Sequence, residues 1–75
     1  MNNTTFNTLK KIIASDVEQD SFGVQFFNQN RLVLEILRMD GVRQKRVFLY
    51  CEDIDLELLK ECITFFELEI PGDYS

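Results

Sequence analysis

Histidine is absent from this chain of 75 residues, which contains one proline, three glycines and two cysteines. Without histidine the chain lacks the commonest general base, and three isolated glycines do not build a phosphate-binding loop. Cys51 and Cys62 do not make up the four ligands of a structural zinc site, and their mostly acidic neighbours disfavour a reactive thiolate. The sequence therefore predicts a protein that is not an enzyme and holds no metal or cofactor.

Long apolar runs are also missing, because no segment approaches the roughly 20 apolar residues that span a bilayer. The polar first residues do not resemble a secretory signal, so we expect a soluble, cytoplasmic protein with reduced thiols and no membrane contact. A hydrophobic content of 45%, with seven phenylalanines and two tyrosines, predicts a folded chain. We expect one small domain over 1–75, with flexible ends at 1–4 and 72–75.

The strongest structural signal lies in 31–50, where two strand-forming runs flank Asp40 and Gly41. This dipeptide favours a two-residue turn with positive φ at both positions, which predicts a β-hairpin. The resulting register places Arg38 opposite Arg43. That pair is unfavourable unless an acid reaches it.

A third strand is predicted over 22–27, where Phe22, Val24 and Phe26 alternate with smaller or polar residues, followed by a turn at 28–30. A three-residue loop places these three side chains on the buried face of the hairpin, whereas a two-residue loop places them on the opposite face. We expect the three-residue loop because burial selects the face.

Helices are predicted over 6–15 and 54–69, each with an apolar stripe of helical period. A threonine caps the first helix, and Asp53 or Asp55 caps the second. The predicted fold class is α+β. It consists of a three-stranded antiparallel meander with the N-terminal and C-terminal helices packed on one face.

That arrangement leaves an apolar outer face on the sheet, more contiguous than a small monomer usually exposes. We predict that this face forms a homodimer or is buried by a partner. The alternative is that the long side chains of Arg31, Gln44 and Arg46 screen it. The predicted residues of the outer face are Val33, Leu37, Met39, Val42, Phe48 and Tyr50.

Charge is distributed unevenly, because eight acidic residues and a single base, Lys60, follow Cys51. One interpretation is a solvated helix face that keeps a small protein soluble. The other is a surface that contacts a basic site on a larger protein, as a nucleic-acid mimic does. The candidate contact residues are Asp53, Asp55, Glu57, Glu61 and Glu67.

The predicted order of helix, three strands and helix resembles the layout of double-stranded-RNA-binding domains. That resemblance implies RNA binding, but acids occupy the start of the last helix, where such domains carry bases, and phosphate repulsion opposes binding. We therefore do not expect nucleic acid as a partner, except for weak binding through the basic hairpin tip at Arg38, Arg43, Lys45 and Arg46.

The layout is also similar to that of some small acidic anti-CRISPR proteins. This second resemblance implies a non-enzymatic inhibitor, of anti-CRISPR or anti-restriction type, that binds a nucleic-acid-handling machine. A structural or regulatory subunit that dimerises or binds through the sheet face is the alternative.

Overall fold

The fold is a four-stranded antiparallel sheet with one helix packed against it. The structure is a computed structural model that describes residues 5–70, so the predicted flexible ends lie outside the described residues. The strands follow one another in the sheet in chain order. The elements are a 3₁₀ turn at Phe6–Thr8, strand β1 at Lys10–Asp16, β2 at Ser21–Asn28, β3 at Arg31–Met39, β4 at Gln44–Leu49 and helix α1 at Leu56–Glu69.

The predicted N-terminal helix over 6–15 is wrong, and with it the count of three strands. Thr5 does begin a helical turn, in which its backbone N–H donates to the Thr8 hydroxyl at 3.1 Å. The turn ends at once, and Lys10–Asp16 pairs along its length with β2. A helix of about ten residues is marginal by itself, whereas strand pairing satisfies the backbone of this β-branched segment and extends the sheet.

The predicted two-residue turn at Asp40 and Gly41 is replaced by a loop of four residues, 40–43, between β3 and β4. The positive φ falls on Arg43, at 54°. Arg38 is consequently paired with Lys45 instead of Arg43. This register differs from the predicted one by two residues, so the paired side chains of 34–39 and 44–49 stay on their predicted faces.

The β2–β3 connection has two residues, Gln29 and Asn30, both with positive φ. The prediction of a three-residue loop is therefore wrong, but the predicted buried face is right. A bulge restores that face, because Phe26 is paired with Leu34 and Phe27 with Leu32, leaving Val33 as the extra residue.

The predicted C-terminal helix is confirmed, and it packs against one face of the sheet. The core cluster combines side chains from β2 and β3 with others from the segment before β1, from α1 and from its C-cap. Its most buried large members are Phe26, Leu34, Val24 and Cys62. Its full membership is Leu9, Val24, Phe26, Leu34, Ile36, Leu58, Cys62, Phe66 and Ile70. Within residues 5–70, no helix has the length and apolar character needed to cross a membrane.

Candidate partner-binding surface

The acidic residues between 52 and 69 are all exposed, seven in number. Five of them form what we call the acidic surface, which begins in the segment before α1 and continues along the helix. At 1.5 Å of rise per residue, its helical part covers about 18 Å from Asp55 to Glu67. The acidic surface consists of Asp53, Asp55, Glu57, Glu61 and Glu67.

Asp55 also has a structural role, because it is the N-cap of α1. Its Oδ2 atom accepts hydrogen bonds from the backbone N–H groups of Glu57 at 3.0 Å and Leu58 at 3.1 Å. Two of the four unpaired N–H groups that begin a helix are satisfied in this way. The sequence left Asp53 and Asp55 as alternative caps, and the structure selects Asp55.

A groove of about 330 Å³ runs between the 3₁₀ turn and the exposed side of α1, and we call it the helix groove. Glu57 and Glu61 lie on it one helical turn apart, and the Glu57 carboxylate is 3.8 Å from the Lys60 ammonium. The remaining members of the acidic surface do not line it. Its lining residues are Phe6, Glu57, Lys60, Glu61, Thr64, Phe65 and Leu68.

The apolar floor of the helix groove is connected to the core by aromatic contacts. The Phe65 ring is 5.8 Å from Phe6 and 6.0 Å from the wholly buried Phe26, between ring centroids. Lys11 lies over Phe6, with its Nζ atom 4.1 Å from the ring centroid, and donates to the Phe6 carbonyl oxygen at 2.7 Å. These contacts hold the floor in place while Leu68, 79% exposed, extends into solvent beside it.

A larger groove of about 700 Å³ lies between the β2–β3 turn and the segment that joins β4 to α1. It brings the two predicted sets of contact residues together, because Asp53 and Asp55 share it with Val33 and Tyr50. Arg31 also lines it, so both signs of charge face this space.

The outer sheet face is less uniformly apolar than the sequence indicates. Leu37, Met39 and Phe48 lie on the side of the sheet away from α1, and all three are half-buried. Glu35, paired with Phe48, accepts hydrogen bonds from the Gln25 amide at 3.0 Å and the Tyr50 hydroxyl at 3.4 Å.

Three further details bear on the predicted outer face. Val33, the bulged residue, packs against the core cluster, and Val42 lies in the β3–β4 loop, 60% exposed. The Arg46 guanidinium lies 5.7 Å from the Phe48 ring centroid. That contact is of the kind by which a long side chain screens an apolar face.

One of the four bases predicted at the hairpin tip is buried. Arg38 is 7% exposed and forms a salt bridge of 2.7 Å with Asp40. Its guanidinium also lies 5.2 Å from the Phe22 ring centroid. A buried, paired guanidinium is not available to phosphates, so Arg38 does not contribute to a phosphate-binding tip.

Cys51 and Cys62 are both free thiols. Burial, followed by the adjacent Glu61 carboxylate, raises the pKa of the Cys62 thiol from 9.0 to about 11, while Lys11 opposes the rise. Such a thiol is protonated at neutral pH and is a poor nucleophile. Across residues 5–70, no three Cys, Asp or Glu side chains are grouped so that they could hold a metal ion.

No family model, curated protein or solved structure matches this chain. Its function therefore has to be argued from its own surfaces.

Sequence reasoning found the acidic residues but missed the groove beside them. Because a helix is predicted over 6–15, the sequence does not predict the packing of Phe6 against Phe65. One feature of the sequence did indicate the groove. Leu68 falls on the polar side of the predicted helix, where an apolar side chain does not reach the core.

Proposed function

We propose that this protein is a non-enzymatic binding protein whose acidic surface occupies a basic, nucleic-acid-binding site on a larger protein. It is an inhibitor of a nucleic-acid-handling machine, of anti-CRISPR or anti-restriction type. The single observation that supports this function most is the exposure of every acid between 52 and 69, in the segment before α1, at its N-cap and along the helix.

Geometry supports the mimicry of a phosphate backbone. Carboxylates distributed over about 18 Å of helix match the length of about five nucleotide steps along one strand, at 3.4 Å each. Glu57 and Glu61 are separated by about 6 Å along the axis, being one turn apart. A basic groove that attracts phosphates attracts these carboxylates for the same electrostatic reason.

A second candidate is a regulatory or structural subunit that dimerises or binds through the outer sheet face. It is favoured by the position of Leu37, Met39 and Phe48 on the side of the sheet that α1 does not cover. The hydrogen-bonded Glu35 in their midst disfavours it, because burying a carboxylate in an interface is costly unless its partners remain.

The two candidates differ in their response to salt and to competing polyanions. The immobilised chain is incubated with lysate at about 0.05 and 0.5 M salt, and retained proteins are challenged with excess heparin or duplex DNA. Exposed charges are screened within about 8 Å at 0.15 M salt, so capture through the acidic surface weakens steeply as salt rises.

Support for the proposal requires a retained protein that binds nucleic acid by itself and that heparin or DNA displaces. Retention that survives high salt and both competitors, and that Phe48→Glu abolishes, would instead establish the sheet-face subunit.

A further inference from the structure

We propose that the helix groove is the specificity element of the acidic surface and receives an apolar side chain from a basic amphipathic helix of the partner. This inference rests on the proposed function and adds to it the kind of segment that is recognised. An amphipathic helix that lays its apolar face into a hydrophobic groove is a recurring mode of peptide recognition.

The first argument is the composition of the groove. Its floor is formed by Phe6 and Phe65, both half-buried, and Leu68 projects beside them. At about 330 Å³ the groove lies at the lower end of the range of ligand sites, roughly 300–1,000 Å³. It therefore suits one or two side chains.

The second argument is charge complementarity. Glu57 and Glu61 lie on the rim with the same one-turn spacing that separates Lys or Arg residues at i and i+4 of a facing helix. Lys60 is also on the rim, but its contact with Glu57 is long, at 3.8 Å, and both side chains are mostly exposed. Such an exposed pair is weak, so a partner's cation can replace Lys60 at little cost.

The α1 helix of a second copy does not suit the groove. The chain carries a net charge of −5, and α1 presents acids on its exposed side. A second α1 at the groove would therefore place like charges next to Glu57 and Glu61.

The third argument is rigidity. Phe65 contacts both Phe6 and the buried Phe26, so the floor is positioned by the core and is present before binding. A preformed groove avoids the entropic cost of ordering side chains on association.

The test uses the full chain, labelled with ¹⁵N, and a synthetic helical peptide of about 18 residues with leucines on one face and lysines on the flanks. Its two controls are a scrambled peptide of the same composition and a version with glutamate in place of lysine. We expect amide shifts centred on Phe6, Thr64, Phe65 and Leu68, with tighter binding of the amphipathic peptide than of the scrambled one.

Matched variants separate the groove from general charge attraction. Leu68→Ser should weaken peptide binding about fivefold or more, which corresponds to about 1 kcal/mol, whereas Leu56→Ser should leave it within about twofold. Leu56 is the control because it is 62% exposed on the same helix but does not line the groove.

For charge, Glu57→Gln with Glu61→Gln should weaken binding more than Glu67→Gln with Glu69→Gln, although both pairs change the net charge equally. Equal effects of the two pairs, with no effect of Leu68→Ser, would overturn the groove and leave the acid-driven function intact. Absence of peptide binding would also overturn the groove. Capture from lysate that is indifferent to salt and polyanions would overturn the proposed function itself.

Discussion

Arg38 and Asp40 form a buried, bidentate ion pair, in which Arg38 Nε donates to Oδ1 at 2.7 Å and Nη2 donates to Oδ2 at 3.0 Å. This pair explains the four-residue loop between β3 and β4. The loop turns the Asp40 carboxylate back onto Arg38, and it is tied to the β1–β2 loop by the hydrogen bond from Asp40 N–H to the Asp20 carbonyl at 3.0 Å. The loop itself therefore supplies, in Asp40, the acidic partner that Arg38 needs beside another base.

Asp40→Ala should destabilise the fold by about 3 kcal/mol, because it leaves the buried Arg38 guanidinium without its carboxylate. The measurement is the midpoint of urea unfolding. The double variant Arg38→Met with Asp40→Ala should recover much of the loss, since it removes the uncompensated charge. A single variant as stable as the wild type would show that the ion pair does not hold the loop.

Asp55→Ala should lower the free energy of unfolding by about 1 kcal/mol, because two N–H groups at the start of α1 lose their acceptor. Asp55→Ser should restore most of it. Asp53→Ala is the control, since that exposed acid precedes the cap. Equal losses at the two positions would contradict the assignment of Asp55 as the N-cap.

Gly23→Ala should destabilise the fold by about 2 kcal/mol or more, because a methyl group there overlaps the Ile36 carbonyl oxygen on the neighbouring strand. Gly41→Ala is the matched control, because a methyl group there has nothing within 4 Å and the residue lacks positive φ. Thermal unfolding of both variants checks the prediction, and a Gly23→Ala protein that melts with the wild type would refute the β2–β3 register.

The Cys62 thiol should make stability fall as pH rises from about 9 to about 11. Its pKa is 9.0 when unperturbed and about 11 in the fold, so the unfolded chain releases this proton first and unfolding becomes more favourable over that interval. The measurement is urea unfolding at pH 8, 9, 10 and 11. Cys62→Ala should lack this part of the pH dependence; identical slopes in both proteins would contradict the raised pKa.

An element of this fold could be predicted from the sequence where its apolar residues recur with a regular period. The helix Leu56–Glu69 was predictable because its apolar residues follow the helical repeat over four turns. Strand β1 was not, because Phe6, Leu9, Ile12 and Ile13 recur at the spacing of a helical stripe, although Ile12 and Ile13 are exposed in the strand. The bulge at Val33 was also hidden, since a local irregularity leaves no pattern in the sequence.

The candidate site likewise has one part that could be predicted from the sequence and one part that could not. Acidic side chains are mostly exposed, so the exposure of these five acids was predictable from the sequence. The helix groove depends on Phe6 packing against Phe65, a contact between distant parts of the chain that follows only once β1 is known to be a strand. Burial of Arg38 was equally inaccessible, because it requires the four-residue loop.

The most direct test of the central claim is the affinity of two charge-matched variants for a partner that polyanions displace. Glu61→Lys and Glu18→Lys each change the net charge from −5 to −3, but only Glu61 belongs to the acidic surface. At 0.15 M salt, titration calorimetry should show that Glu61→Lys weakens binding about tenfold, or about 1.4 kcal/mol, while Glu18→Lys stays within about twofold. Equal weakening by the two variants, or none by Glu61→Lys, would contradict the proposal that α1 acts as the binding surface.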